Sequence, residues 1–170
     1  MASSDVLVDA FQRIRDAVYP AVNDLSLEQL TFRPDAGANS ISWLVWHLTR
    51  IQDDHVAGLS GEGQTWSAGG WFERFALPLD PSDTGYGHGP EDVAKVTADA
   101  ALLLGYFEAV HDNTVAYLHT LSDADLERVI DRSWDPPVTV AIRLMSVIAD
   151  DLQHVGQAAY VRGVVQRLGD

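Results

Sequence analysis

The sequence contains no cysteine. Disulfides, thiolate nucleophiles and sulfur-ligated zinc are therefore excluded, and any thiol chemistry must use a thiol supplied from outside the chain. Basic residues are also scarce, because 11 Lys and Arg stand against 25 Asp and Glu and give a formal net charge of −14. Such a charge repels phosphate backbones and anionic lipids, so we expect neither nucleic acid nor a membrane as a partner.

Long apolar runs are absent as well. No uninterrupted apolar stretch approaches the 18 residues of a membrane span, and the N-terminus has no basic segment followed by an apolar run. These absences predict a cytoplasmic protein without a signal peptide. The length of 170 residues and the 46% hydrophobic content are typical of one globular domain, and we expect residues 1–170 to form it.

Four long segments have the apolar periodicity of amphipathic helices, and almost nothing has the alternation of a strand. In the first segment, for example, apolar residues recur at steps of three and four from Leu7 to Val22. The predicted helices run from a cap at Ser4 or Asp5 to Val22, from Ile41 to about Gly58, from Pro90 to Leu118, and from Thr139 to Leu168. The sequence therefore predicts an all-α four-helix arrangement.

The connections after the first and third helices begin with the same pattern, Leu-Ser-x-x-x-Leu. It occurs at Leu25 to Leu30 and at Leu121 to Leu126. One interpretation is that the chain consists of two related helix pairs. The alternative is that each pattern is simply the capped start of a short helix.

The connection from Gly58 to Gly89 is about 30 residues long, far above the usual loop length. It holds eight of the thirteen glycines and is rich in aromatic rings, namely Trp66, Trp71, Phe72, Phe75 and Tyr86. Because such rings need burial, we expect this connection to fold over one end of the bundle, as a substrate cover or a dimer contact. An ordered surface loop without function is the alternative.

Asp150 and His154 are the residues of the fourth helix that best suit metal binding. Residues four apart on a helix lie on one face, with Cβ atoms about 5–6 Å apart, so one ion could contact both. In the second helix His47 interrupts an apolar stripe and points inward or nearly so. A third ligand from such a facing helix would give two histidines and one carboxylate, with coordination positions left for water or substrate.

Other readings of these residues remain open. His47 could be an ordinary core histidine, and the patch of Asp150, His154 and Gln157 could lie in solvent. Asp151 competes with Asp150, and His111 could just reach an interhelical site. His55 is too far along the helix from His47 to share its ion. We expect His88, in the glycine-rich connection, to lie at the surface, and Asp53 and Asp54 to be solvated.

Several stretches resemble the DinB-like superfamily, which includes mycothiol-dependent maleylpyruvate isomerase and related thiol transferases. They are WLVWHLTRIQDDH around His47, LQHVGQAAYVRG around His154, the separation of about a hundred residues between the two histidines, and the Leu-Ser-x-x-x-Leu connectors. The resemblance covers essentially the whole chain. It implies a four-helix bundle, often dimeric, that holds one divalent metal through residues matching His47, Asp150 and His154.

The chain departs from the family pattern at two points. The first residue of the ligand pair is histidine in many relatives and glutamate in the isomerase type, whereas Asp150 is one methylene shorter. The metal could therefore sit differently or bind more weakly. The sequence also ends near residue 170 without the additional domain of the isomerase, so we do not expect isomerase activity.

A metal site of this kind suggests a transferase that adds a low-molecular-weight thiol, such as mycothiol or bacillithiol, to a small electrophile. The resemblance favours zinc, with nickel or iron as alternatives. We expect Trp43 and Trp46 to supply apolar walls and Gln157 and Arg162 to orient polar groups, although a structural salt bridge is an equal role for Arg162. A metal-dependent hydrolase, an iron(II) oxygen enzyme and a non-catalytic dimeric module are the alternative functions.

Overall fold

The computed structural model describes residues 3–168, which are mostly helical. In chain order the elements are α1 (Ser3–Val22), α2 (Leu27–Thr31), α3 (Ile41–Ser60), α4 (Thr65–Ala68), α5 (Trp71–Phe75), α6 (Pro90–Val93), α7 (Ala100–Leu118), α8 (Asp123–Glu127), β1 (Val129–Asp131), β2 (Val138–Thr139) and α9 (Val140–Leu168). The two strands form a small antiparallel pair. The predicted all-α four-helix bundle is confirmed, with α1, α3, α7 and α9 as its long helices.

The four long helices pack in a ring. Both α9 and α7 pack against α1 and α3. Their apolar stripes meet in one core, in which Phe11, Leu48, Phe107 and Leu144 are fully buried. Burying one such side chain contributes about 1.5–3 kcal/mol, so the stripes hold the helices together. Among the described residues, no helix has the length and apolar character needed to span a membrane.

The two Leu-Ser-x-x-x-Leu segments are capped starts of short helices. Ser26 caps α2 and Ser122 caps α8, and each forms a capping box with the side chain three residues later, Gln29 or Asp125. The following leucine of each pattern is buried in the core. The shared pattern therefore has a local explanation in helix capping.

The predicted start of the third long helix is wrong. Pro90 to Val93 form only one turn, α6, and α7 begins at Ala100 after an N-cap at Asp99. The intervening chain is tied to α3, because Ser42 Oγ accepts a hydrogen bond of 3.0 Å from the amide of Ala98. A first-turn signature at Pro90 starts a helix, but this tertiary tie ends it after one turn. The end of α3 differs less, since the helix passes Gly58 and stops at Gly61, which has the left-handed φ of 78°.

Residues 61–89, here called the flap, fold back over α3 and α7. Trp66 and Trp71 are buried, and their ring centroids lie 5.1 and 5.7 Å from that of Tyr106 on α7. Tyr86 is the exception among the aromatic residues of the flap, with 90% of its surface exposed. The flap is thus an ordered, largely packed part of the fold.

A buried carboxylate fastens the start of the flap. Asp53 on α3 accepts hydrogen bonds of 2.8 and 2.7 Å from the amides of Thr65 and Trp66, and one of 2.7 Å from the Tyr106 hydroxyl. The prediction that Asp53 is solvated is therefore wrong, because its side chain is 4% exposed. The amides at the first turn of α4 supply the donors that make this burial affordable.

Arg50, one turn earlier on α3, fastens the end of the flap. Its guanidinium is fully buried and donates to the carbonyl of Asp83 at 3.0 Å and to Gln64 Oε1 at 2.8 Å. Its Nη1 lies 3.8 Å from Asp53 Oδ2, so the two opposite charges are buried side by side. Both ends of the flap are therefore tied to one turn of α3.

Candidate metal centre

His47, Asp150 and His154 meet at the seam between α3 and α9. Each offers one ligand atom, and these atoms all lie within 4.8 Å of one another. The two helices run antiparallel here, because His47 lies against His154 while His55, two turns later on α3, contacts Arg143, nearly three turns earlier on α9. The structure thus brings together the three residues that the sequence singled out.

The flap orients His47. The Nδ1 of His47 lies 2.5 Å from the carbonyl oxygen of Thr84, which can only accept, so Nδ1 carries the proton and donates it. Burial lowers the pKa of His47 below its ordinary value, although this hydrogen bond partly opposes the shift. A neutral imidazole protonated at Nδ1 presents the lone pair of Nε2, which is the form that binds a metal.

His154 is oriented by its own helix. Its Nδ1 lies 3.1 Å from Gln157 Oε1, one turn further along α9, and its Nε2 lies 3.5 Å from Asp150 Oδ1. Burial alone would lower the pKa of His154, but the hydrogen bond and charge of Asp150, with help from Gln157, outweigh it and raise the pKa. Both histidines therefore have Nδ1 held by an oxygen acceptor.

The carboxylate of Asp150 fits a missing cation. Its Oδ2 is buried and has no hydrogen-bond partner among the described residues. Burial opposes ionisation of Asp150, but the imidazoles of His154, His47 and His55 outweigh it and lower its pKa, so the group is anionic. An orphaned anionic oxygen beside two oriented imidazoles is the donor set of a divalent metal site.

The span of the group also suits one ion. Bonds from zinc to nitrogen or oxygen are about 2.0–2.2 Å, so two ligands of one ion lie up to roughly 4.4 Å apart. The observed limit of 4.8 Å needs only small side-chain shifts. The shorter side chain of Asp150 therefore does not keep it from this group.

Asp151, the alternative acid, lies outside the group and faces the core. It is fully buried, and neither carboxylate oxygen has a hydrogen-bond partner among residues 3–168. Burial, with the neighbouring charge of Asp150, raises the pKa of Asp151 well above its usual range. Two consecutive aspartates on one helix thus differ in charge, because one points to the seam and the other to the core. His111 is also buried outside the group, stacked on Phe107.

Aromatic side chains of α3 and the flap surround the metal ligands. Trp43 stacks on His47 with ring centroids 4.6 Å apart and meets His154 edge-on at 6.1 Å. The prediction that His88 lies at the surface is wrong, because its side chain is 7% exposed and its Nδ1 accepts a 3.2 Å hydrogen bond from Trp43 Nε1. The flap carries His88 inward against Trp46, whose ring centroid lies 5.9 Å away.

Two residues expected to contact substrate have structural contacts. Trp46 is 1% exposed and packs between the flap residues Trp66 and His88. Arg162 donates a 2.5 Å hydrogen bond to the carbonyl of Asn23, just after α1. Of the expected substrate contacts, Trp43 and Gln157 are the two that adjoin the ligands.

Sequence reasoning missed the role of the flap backbone at Gly85. This residue has φ of +91°, and a Cβ there would lie 2.6 Å from His47 Nδ1 and 3.1 Å from the Trp46 ring. Only glycine lets the main chain approach His47 closely enough for the Thr84 carbonyl to reach it. The glycine-rich run TGYGHG was visible in the sequence, but its target on α3 was not.

Replacing Gly85 by alanine should weaken metal binding at this centre. The added methyl would push the chain away from His47 and break the hydrogen bond that orients the ring, and loss of such a partner typically costs 10–100-fold in metal affinity. Zinc affinity measured by competition with a chelator tests this expectation. Gly87→Ala is the matched control, because Gly87 also has a positive φ, +78°, but open space around its Cβ position. Equal affinities of the two variants would contradict a role for the flap in orienting His47.

Comparisons with known proteins agree with this fold. A crystal structure of a conserved protein from Enterococcus faecalis is 32% identical in sequence and superposes with a TM-score of 0.92, over 100% of this chain and 99% of that one. No curated protein matches the chain significantly. The family model of the DinB superfamily matches residues 10–158, which is most of the chain. The protein therefore belongs to the DinB superfamily.

Proposed function

We propose that the protein is a metal-dependent transferase that adds a low-molecular-weight thiol of the mycothiol type to a small electrophile. His47, Asp150 and His154 are the proposed metal ligands. The observation that carries the proposal is the preparation of these ligands, since each imidazole has its Nδ1 held and Asp150 has an unpaired buried oxygen. An ordinary buried polar cluster would pair these groups with one another.

Zinc is the proposed metal. Two imidazoles and one carboxylate form a common catalytic zinc set that leaves a position for a substrate atom. Nickel and iron(II) accept the same donors, so the metal analysis described below must distinguish the elements. Because the chain has no cysteine, no internal thiol competes for the open position.

A divalent cation at this centre would lower the pKa of a thiol or water that coordinates it, giving a nucleophile near neutral pH. In the proposed transfer the thiol loses its proton to water, and a sulfur electron pair forms the new carbon–sulfur bond. The leaving group departs with the electrons of the bond that breaks. Trp43 would supply an apolar wall beside the reacting atoms, and Gln157 would keep His154 in place.

Metal analysis of protein purified without an affinity tag tests the ligand set. We expect about one equivalent of metal per chain, and a loss of at least tenfold in His154→Ala and Asp150→Asn. Asp151→Asn is the matched control, because Asp151 is the neighbouring acid but points into the core. The ligand assignment is overturned if Asp151→Asn loses the metal while Asp150→Asn retains it.

Dependence of turnover on added thiol tests the reaction class. With 1-chloro-2,4-dinitrobenzene as the electrophile, we expect the metal-loaded protein to release chloride only when a thiol such as N-acetylcysteamine is added. The His154→Ala variant should show the uncatalysed rate. Turnover by water without any thiol would contradict the transferase proposal and favour a metal-dependent hydrolase, whereas metal binding without turnover would favour a non-catalytic module.

We also propose that the protein forms a homodimer through the outer face of α9. Residues spaced three and four apart on this face are apolar or small from one end of the helix to the middle, and three large ones are 44–54% exposed, namely Ile142, Met145 and Leu152. A stripe of this kind on a bundle helix is typical of helix–helix contacts. The stripe lies opposite the core side of α9, so a second copy could pack there without disturbing the core.

Sedimentation of variants tests the proposed dimer. The wild type should sediment as a dimer and Met145→Glu as a monomer, because a buried unpaired carboxylate opposes association. Val6→Glu is the control, since Val6 is a similarly exposed apolar residue, 56%, on α1. A monomeric wild type would refute the proposal.

A further inference from the structure

A groove adjoins the metal centre on the side of His154. It has a volume of about 710 Å³, which is within the usual range of roughly 300–1,000 Å³ for ligand pockets. One wall is α9 from Gln153 to Val161, and the other is the loop of residues 34–39 before α3 together with Leu44. Gln157 belongs both to this wall and to the metal centre, because it holds His154 at 3.1 Å.

The groove lining is polar but almost uncharged. Amide and hydroxyl groups come from Asn39, Gln153, Gln157 and Tyr160, and Leu44 and Val161 add apolar surface. The one charged residue of the lining is Asp35, and neither lysine nor arginine lines the groove. With a net charge of −14 on the whole chain, this surface disfavours an anionic ligand and suits a neutral chain that forms hydrogen bonds.

We propose that this groove binds the neutral, hydrogen-bonding arm of the thiol substrate, whose sulfur end lies at the metal centre. The proposal rests on the thiol transfer proposed above and adds the substrate class, a long uncharged thiol with amide or hydroxyl groups. The groove begins at the residue that orients His154 and continues for about one helical turn along α9 to Tyr160. A thiol with a polar arm therefore fills the groove, whereas a short thiol occupies only the metal centre.

Gly156 is the position that decides whether the arm fits. It lines the groove, and a Cβ built there meets no atom within 4 Å. A leucine at this position therefore has room on the folded chain and would project into the groove. Because glycine is an unfavourable residue inside a helix by about 0.5–1 kcal/mol relative to alanine, neither Gly156→Leu nor Gly156→Ala should destabilise α9.

Two neutral thiols that differ in their polar arm test the proposal. Pantetheine contains the whole of the short thiol N-acetylcysteamine in its thiol end and extends it by a further amide and hydroxyl groups. Calorimetric titration of the zinc-loaded protein should give a Kd for pantetheine at least tenfold below that for N-acetylcysteamine. The advantage should persist in Gly156→Ala and disappear in Gly156→Leu, with the Kd of N-acetylcysteamine unchanged.

A variant on the opposite wall and a charged thiol complete the experiment. Ala38→Leu should also remove the advantage of pantetheine, and sedimentation shows whether each variant keeps the oligomeric state of the wild type. Phosphopantetheine, which adds a phosphate at the far end, should bind more weakly than pantetheine. Tighter binding of phosphopantetheine would overturn the assignment of a neutral ligand.

The outcomes separate this proposal from the proposed function. Equal Kd values for pantetheine and N-acetylcysteamine would leave the thiol site in place and overturn the groove proposal alone. Retention of the advantage in both Gly156→Leu and Ala38→Leu would do the same. Failure of either thiol to bind the zinc-loaded protein would overturn the proposed thiol transfer, and the groove proposal with it.

Discussion

The buried ion pair of Arg50 and Asp53 is the interaction on which the candidate site depends. Asp53 holds the first turn of α4 and Arg50 holds the carbonyl of Asp83, so this pair closes the flap onto α3 from both ends. Each charge is costly to bury alone, and each is compensated by the other and by donors or acceptors of the flap. The flap and the charged pair therefore stabilise each other, and neither is explained by α3 alone.

The clamp determines the geometry of His47, which lies one turn before Arg50. Once Asp83 is held, the next carbonyl, that of Thr84, meets Nδ1 of His47, and Gly85 passes where a side chain would collide with the ring. His154 needs no such support from a distant segment, because Gln157 is its neighbour on the same helix. The two imidazoles of the candidate centre are thus oriented by different means, one by tertiary contact and one by helical spacing.

Predictions from the sequence succeeded where they rested on local periodicity. The four long helices and the pairing of Asp150 with His154 follow from repeats of three and four residues, and these repeats place side chains on one helix face whatever the tertiary contacts. The predictions failed for Asp53, for His88 and for the start of α7. In each case a segment distant in the sequence covers or ties the residue, and no local pattern reports such a contact.

By itself, the sequence determined the helical class of the protein, the capped short helices, and the face of α9 that carries a carboxylate and an imidazole. It also determined that any thiol must come from elsewhere, since the chain has no cysteine. Only the tertiary structure decided that Asp150 is an anion at the seam while Asp151 is a protonated acid in the core. The reason is that charge depends on desolvation and on neighbours, and both are set by which helix packs against which face.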